Sequence, residues 1–201
     1  MTNTDFVKYS GSHGTTQTRF LEITNNGFNV GAGYRGTGVY FWENTGYARE
    51  LAIGWYVNAK RNGIYKKDED SRCSIVWATL TAIKNEVIDY TDPKWREQLL
   101  KLFKKLDQPD SSEKACDLYD LLTTRIEKTL NTTIKIIITM VHPPKSSCYP
   151  TQTYGMAYCY VVTDTGCINV ESYETLNDFD VHDKEACRKV LKQRKDKNIY
   201  Y

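Results

Sequence analysis

The 201-residue chain lacks the features that mark several large classes of protein. No apolar run approaches the roughly 20 residues that cross a bilayer, so we expect no membrane partner. The first residues, Met1–Asp5, have neither the basic start nor the apolar stretch of a secretion signal. We therefore expect a cytoplasmic protein, and a chain of this length is expected to form a single domain over residues 1–201.

The chain also lacks a strong charge imbalance and any cluster of metal ligands. Lys and Arg number 27 against 25 Asp and Glu, a formal net charge of +2, so the overall charge favours no particular partner. The six cysteines include no C-x-x-C pair, and the three histidines lie in unrelated contexts. This pattern predicts reduced thiols and no metal site.

The chain does contain an irregular series of predicted strands and helices. Alternating or β-branched segments predict strands at 6–12, 39–42, 73–83, 86–90, 132–141, 156–162 and 167–170. Helical spacing and caps predict helices at 16–26, at 48–59, in a hairpin over about 93–130 whose second helix is capped by Asp110–Glu113, and in a basic tail at about 183–197. Residues 29–38 and 146–155 are predicted as loops, and the irregular order predicts an α+β fold with a largely antiparallel sheet.

Two of these predicted strand pairings carry specific expectations. Residues 73–83 and 86–90, which meet at Lys84-Asn85, are expected to form two paired strands or one long bent strand. Residues 156–162 and 167–170 flank Asp164-Thr165-Gly166 and are expected to form a hairpin.

Two short motifs near the start of the chain predict a small pocket. His13-Gly14-Thr15 follows the first predicted strand, and Arg35-Gly36-Thr37-Gly38-Val39-Tyr40-Phe41 leads into the second. A compact imidazole after one strand and a glycine-flanked tyrosine on a second strand can build a small pocket with two polar groups directed inward, and the motifs alone leave its ligand open.

In content and order these motifs, with the Gly27-Phe28 turn between them, resemble the NAD-binding half of ADP-ribosyltransferases of the diphtheria-toxin and poly(ADP-ribose)-polymerase-like class. The resemblance is strong over about residues 7–60 and weaker beyond. It implies split antiparallel β-sheets with flanking helices and a helical hairpin insertion. It also implies NAD as a co-substrate.

The resemblance assigns roles to the motif residues. Tyr40 would clamp the nicotinamide ring, the Gly14 backbone would hold its carboxamide, and His13 would donate a hydrogen bond to the ribose. Arg35 would meet the phosphates, while the glycine-rich loop closes over them. The implied NAD-binding set is His13, Gly14, Thr15, Arg35, Gly38, Tyr40 and Ala48, of which His13 and Tyr40 would also be catalytic.

The chain departs from this family at the third catalytic position. Where the family has a glutamate on the strand at 156–162, alignment by the following turn places Cys159. This residue is the third catalytic candidate, although a thiol with no base beside it in sequence is more often core filler. Leu51 stands at the second aromatic of the clamp, so Tyr47 or Trp55 would have to serve.

The resemblance implies a mono-ADP-ribosyltransferase that cleaves the nicotinamide–ribose bond of NAD and transfers ADP-ribose to a protein or nucleic-acid acceptor. An intracellular toxin, an antiphage effector or a regulatory modifier would fit, and a toxin would bring an inhibitory partner protein. The alternative is an inactive transferase fold that binds NAD, ADP-ribose or a partner. Release of nicotinamide from NAD separates these two hypotheses.

Overall fold

The computed structural model describes residues 5–106 and 112–177, in which strands and helices follow an irregular order. The strands are β1 (Phe6–Thr16), β2 (Gly31–Gly33), β3 (Gly36–Glu43), β4 (Cys73–Ile83), β5 (Val87–Asp89), β6 (Ile136–Val141), β7 (Ala157–Val162) and β8 (Ile168–Thr175). The helices are α1 (Gln17–Asn26), α2 (Ala48–Arg61), α3 (Pro93–Leu106), α4 (Ser112–Leu130) and α5 (Thr151–Tyr154). The predicted α+β class is confirmed. The capping box at Asp110–Glu113 and the basic tail at 183–197 involve positions outside the described residues.

The strands form a sheet in the order β5-β6-β7-β3-β1-β4-β8, and β2 pairs with β3 beside this path. Among the described strands every pairing is antiparallel except that of β5 with β6, which is parallel. The expectation of a largely antiparallel sheet therefore holds.

The middle of the sheet is narrow. Strands β1 and β3 pair only at Gly11–Glu43 and Ser12–Trp42, whereas β1 pairs with β4 along its whole length. We call the short contact between β1 and β3 the junction. It divides the sheet into one half of β1, β4 and β8 and another of β2, β3, β5, β6 and β7.

Three apolar clusters hold the halves and helices together. The first lies between α2 and the sheet, and the second between the α3–α4 hairpin and strands β5, β6 and β7. The third joins the two halves of the sheet directly: Val39, Phe41 and Ile136 of one half pack with Ala78 and Leu80 of the other. Burial of these side chains contributes about 1.5–3 kcal/mol for each large one.

The local signals at the start of the chain place most elements correctly. Helix α1 ends at Gly27, whose φ of 80° is the left-handed conformation that glycine favours and whose N–H bonds Ile23 O. The strand predicted to end at Ser12 instead continues to Thr16, the N-cap of α1. It continues because residues 13–16 of β1 still pair with β4.

Two predicted pairings are wrong. Strands β4 and β5 are neither paired nor continuous, because a short 3-10 turn at Lys84–Glu86 sends β5 to the far edge of the sheet beside β6. Strands β7 and β8 form no hairpin either: β7 lies between β3 and β6, while β8 crosses to β4. Both strands of each predicted pair exist, but their partners are remote in sequence.

No helix within residues 5–106 or 112–177 is both long and apolar enough to cross a membrane.

Candidate functional site

A cleft of about 1000 Å³ opens beside the junction, between β1, α1, the β2–β3 hairpin, α2 and residues 141–145. Seven of the eight residues predicted for the site line it. They are His13, Gly14, Thr15, Arg35, Gly38, Tyr40 and Cys159. The eighth, Ala48, does not: it is buried at the start of α2, where its C=O accepts a hydrogen bond of 2.8 Å from Ser12 Oγ.

The backbone of Gly14 has a defined direction. Hydrogen bonds from Gln17 N–H to Arg72 O and from Lys84 N–H to Asp5 O fix the alternation along the β1–β4 ladder. In an antiparallel ladder, pairs that exchange hydrogen bonds alternate with pairs whose polar groups point away. The odd-numbered residues of β1 therefore bond β4, and Gly14 directs its N–H and C=O away from β4.

Within residues 5–106 and 112–177, no strand meets these two groups on the other side. The pairing of β1 with β3 ends at Ser12–Trp42, two residues before Gly14. One backbone donor and one backbone acceptor consequently face the cleft side by side. A primary carboxamide offers the complementary pair, an NH₂ donor and a carbonyl acceptor.

His13 fills the gap in which the β1–β3 ladder ends. Its Nδ1 lies 2.9 Å from Tyr40 O, and its ring contacts Phe28 edge-on and Phe41 at centroid distances of 5.5 and 5.6 Å. Because a carbonyl can only accept, Nδ1 carries the proton and Nε2 of the neutral ring is an acceptor. Burial lowers the pKa of His13, so the neutral form dominates at pH 7.

This tautomer changes the role expected for His13. The resemblance gave it a donor function toward the ribose, whereas a neutral ring bonded in this way accepts a hydrogen bond from a hydroxyl at Nε2. His13 also ties β1 to β3 beyond the last strand pair, since its partner is a β3 carbonyl.

Tyr40 is half-buried and held at its hydroxyl end. Its OH donates to Gly36 O over 2.6 Å and accepts from Arg35 N–H over 2.9 Å. A Cβ on Gly33 would lie 2.5 Å from the Tyr40 ring, so the hairpin backbone rests directly on the tip of the ring. Burial raises the pKa of Tyr40, and the phenol stays protonated.

The segment predicted as a flexible glycine-rich loop is instead the β2–β3 hairpin. Its strands pair from Gly31–Gly38 to Gly33–Gly36 around Tyr34-Arg35, and Gly36 has a φ of 103°. Asp120 of α4 fixes the end of this turn, because its carboxylate accepts from Thr37 N–H at 2.8 Å and from Thr37 Oγ1 at 2.7 Å.

Arg35 occupies the turn of this hairpin with its guanidinium on the cleft side. Its Nε donates to Met140 O over 3.2 Å, and its Cζ lies 5.3 Å from the centre of the Tyr119 ring. Among the described residues no carboxylate forms an ion pair with it. The guanidinium is held by neutral groups, the carbonyls of Met140 and Tyr34 and the Tyr119 ring, which leave its charge uncompensated.

Helix α2 packs against one face of β1 at Gly14. A Cβ on Gly14 would lie 2.0 Å from Ala52 O, so only glycine lets α2 approach this closely. Gly14 therefore has two roles. Its missing side chain lets α2 approach the face of β1, and its N–H and C=O at the strand edge are directed to the cleft.

Cys159 lies beneath the cleft on β7, between Trp42 of β3 and Thr139 of β6. Its side chain is 1% exposed, and burial raises the pKa of the thiol to about 12. A protonated thiol is neither a nucleophile nor a base at neutral pH. Its geometry is that of a core residue that reaches the floor of the cleft.

The two candidates for the second aromatic are separated by the fold. Trp55 lines the cleft and is 41% exposed, whereas Tyr47 packs outside it against Tyr149 and Tyr154. Leu51 is buried in the cluster under α2.

Sequence reasoning missed further polar residues of the cleft. Arg19 of α1 forms an ion pair of 2.9 Å with Asp68, which also accepts a hydrogen bond of 2.6 Å from Thr16 Oγ1. His142 and Lys145 follow β6 directly and are exposed at the cleft. A pair such as Arg19–Asp68 leaves no local signal because 49 positions separate its members. The polar run after β6 is visible in the sequence, but its position at the cleft is not.

The site thus combines a carboxamide-sized donor–acceptor pair, a neutral imidazole acceptor, a fixed aromatic ring and a guanidinium. Such a set can orient a planar amide, hold a sugar hydroxyl and neutralise a phosphate. No protein-family model matches the sequence, and comparison with curated proteins likewise gives no match.

Proposed function

We propose that the protein is an NAD-dependent mono-ADP-ribosyltransferase. The observation that carries this proposal is the meeting of Gly14, His13 and Tyr40 where β1 and β3 part, with both polar groups of Gly14 turned into the cleft. The division of the sheet at the junction agrees with the split sheets of the family that the motifs resemble, and the α3–α4 hairpin agrees with its insertion.

The geometry suggests how the chain's residues would hold NAD. Gly14 N–H and C=O would bond the carboxamide, and Tyr40 would offer its ring to the nicotinamide. Nε2 of His13 would accept a ribose hydroxyl, and Arg35 would face the pyrophosphate. Contacts to both the nicotinamide ring and the ribose hold the two parts of NAD in a fixed orientation. They accelerate the reaction only if they are stronger when the bond between the two parts is stretched than in the bound substrate.

In the proposed reaction the bond between ribose C1′ and the nicotinamide nitrogen breaks. Nicotinamide leaves as a neutral molecule with the electron pair of that bond, and the ribose acquires oxocarbenium character. The acceptor's nucleophilic atom then bonds C1′ and releases its proton. A dipole fixed before reaction, such as the neutral imidazole of His13, stabilises the developing positive charge on the sugar.

The acceptor has little help from the protein in losing its proton. Cys159 stands where the family has glutamate, and its thiol is protonated. Asp68 is occupied by Arg19 and Thr16. We therefore expect transfer of single units and no polymer, with slow hydrolysis by water and faster turnover when the true acceptor is present.

The decisive experiment measures nicotinamide release from NAD, with and without cell extract as a source of acceptor. Wild type should release nicotinamide, and His13→Ala should lose this activity while it remains folded. Labelled NAD should leave single ADP-ribose units on the acceptor. A ladder of polymer would contradict the mono-transfer prediction, and full activity of His13→Ala would contradict the site.

The buried, protonated Cys159 also favours a second candidate, a transferase fold that binds NAD or ADP-ribose without cleaving it. In that case calorimetry would detect NAD binding that depends on Tyr40, yet no nicotinamide would appear under any condition. An active enzyme in an extract without the acceptor would still release nicotinamide slowly by hydrolysis. A long incubation therefore distinguishes it from a protein that only binds NAD.

A further inference from the structure

We propose that the acceptor is a single-stranded nucleic acid, bound along a basic rim of the cleft. This inference rests on the proposed transferase function for the chemistry but not for the binding. Lys67 and Lys145 of this rim line the cleft, as do Trp55 and Asn58. We include in the rim Lys66, the neighbour of Lys67 in the chain, and Arg61, which bonds Ser146 beside Lys145.

The rim combines cations from segments that are distant in the sequence. Lys67 and Lys145 both line the cleft although 78 positions separate them (145 − 67). Arg61 Nη1 donates to Ser146 Oγ over 3.2 Å, and that hydroxyl donates to Asn58 Oδ1 over 3.1 Å. The end of α2 is thereby tied to the segment that follows β6, which brings the two sets of cations together.

The three lysine side chains of the rim are directed at solvent. Lys66, Lys67 and Lys145 are exposed, and within the described part of the chain none of them forms an ion pair with a carboxylate. Asp68, the next residue along, is committed to Arg19. Among the described residues that line the cleft, Glu22 on α1 is the other acidic group, and the cations Arg35, Lys67 and Lys145 outnumber it.

The aromatic side chain at this mouth distinguishes a nucleic acid from other anions. Trp55 is 41% exposed and lines the cleft one helical turn before Asn58. An exposed aromatic beside cations is the usual platform on which an unpaired base stacks, and Asn can hydrogen-bond base edges. A folded acidic protein would match the charges but would leave the indole without a planar partner.

The size of the cleft leaves space for an acceptor. Its volume of about 1000 Å³ is at the upper end of the usual range for ligand sites, roughly 300–1,000 Å³. The predicted NAD groups would lie near His13 and Arg35, and Trp55 and Asn58 of α2 line the same cavity. A base or ribose hydroxyl on Trp55 would therefore enter the same cavity as the nicotinamide ribose.

The binding test uses fluorescence anisotropy with labelled single-stranded RNA and DNA oligonucleotides of mixed sequence, without NAD. Wild type should bind at low salt. The triple variant Lys66→Glu, Lys67→Glu, Lys145→Glu should bind more than tenfold more weakly. Each phosphate contact on a single strand contributes about 0.7 to the slope of log K against log salt. The slope for the triple variant, which loses three such contacts, should therefore be smaller by about 2.

A matched control places the same charge change elsewhere. Lys104, Lys105 and Lys128 are exposed on α3 and α4, outside the cleft, and their triple change to Glu should leave most of the binding intact. Equal losses in the two triple variants would overturn the rim, as would the absence of oligonucleotide binding by wild type. The RNA and DNA arms decide which nucleic acid is preferred.

Trp55→Ala tests the stacking platform. Oligonucleotide affinity should fall about tenfold, while affinity for a non-hydrolysable NAD analogue stays within about threefold. The opposite pattern would make Trp55 the second aromatic of the nicotinamide clamp and would overturn the platform.

Transfer is tested last, with labelled NAD and the oligonucleotide that binds best. Label on the oligonucleotide supports the proposal, and label only on protein overturns it even if nicotinamide is released. Oligonucleotide binding without any nicotinamide release would instead refute the proposed transferase function and leave the binding rim in place.

Discussion

Replacement of Tyr40 separates the two tasks that the structure gives this residue. Tyr40→Phe keeps the ring but removes the hydroxyl that bonds Gly36 O and Arg35 N–H. Tyr40→Ala removes both. The Phe variant leaves a partly buried N–H and C=O unpaired, which should lower the free energy of unfolding by about 1–3 kcal/mol. The Phe substitution should therefore destabilise the β2–β3 hairpin and leave the affinity for the ligand nearly unchanged.

The ring itself should govern ligand affinity. Burying an aromatic side chain against a ligand contributes on the order of 1.5–3 kcal/mol, and each 1.4 kcal/mol is a factor of ten in affinity. Tyr40→Ala should therefore bind NAD about 10- to 150-fold more weakly, whereas Tyr40→Phe should stay within about threefold of wild type, because its ring can still stack.

Two measurements check these values. Urea unfolding gives the stability of each variant and shows that Tyr40→Ala is folded under the assay conditions. Calorimetry with a non-hydrolysable NAD analogue gives the affinity. Equal affinity of wild type and Tyr40→Ala would refute the clamp, and an unchanged unfolding free energy of Tyr40→Phe would refute the anchoring of the hairpin through the hydroxyl.

Three further predictions address the walls of the cleft. Cys159→Ala should retain most nicotinamide release in a steady-state assay, because the thiol is protonated at neutral pH; loss of turnover with intact folding would make the thiol catalytic. Gly14→Ala should lower the unfolding free energy by at least about 1–3 kcal/mol in urea titrations, because its Cβ would meet the Ala52 carbonyl at 2.0 Å; wild-type stability would refute this overlap. Burial lowers the pKa of His13, so the unfolded chain takes up the proton first as pH falls below about 6.5. Wild-type stability should thus drop there more steeply than that of His13→Gln, and parallel pH profiles would contradict a neutral buried imidazole.

The sequence predicts elements that local signals define. Gly27 ends α1 and Pro93 begins α3, because a left-handed residue and a missing N–H act within one turn of chain. Pairing between distant strands has no such signal. The short turn after Ile83 and the chain around Gly166 both resemble hairpin connections, yet β5 and β8 leave for partners at opposite edges of the sheet. Burial of the apolar faces decides these pairings, and it depends on the whole fold.

The residues of the candidate site can be predicted from local motifs, but their protonation and packing cannot. The motifs identify His13, Gly14 and Tyr40 because each belongs to a short string that resembles a family motif, and all three line the cleft. The protonation of His13 is not readable from the motif, since it follows from a hydrogen bond to the Tyr40 carbonyl. Ala48 is small because α2 meets β1 there, a packing requirement that resembles a ligand requirement in the sequence.

The two-pair junction gives the molecule uneven stiffness. Motion of one half of the sheet against the other would break few strand hydrogen bonds, whereas bending β1 away from β4 would break a full ladder. Strand hydrogen bonds at the junction therefore resist this motion less than the β1–β4 ladder resists bending, and packing in the third apolar cluster supplies the rest of the resistance. A ligand that bonds Gly14 on one side of the junction and stacks on Tyr40 on the other would act as an added rung, so occupancy and rigidity would rise together.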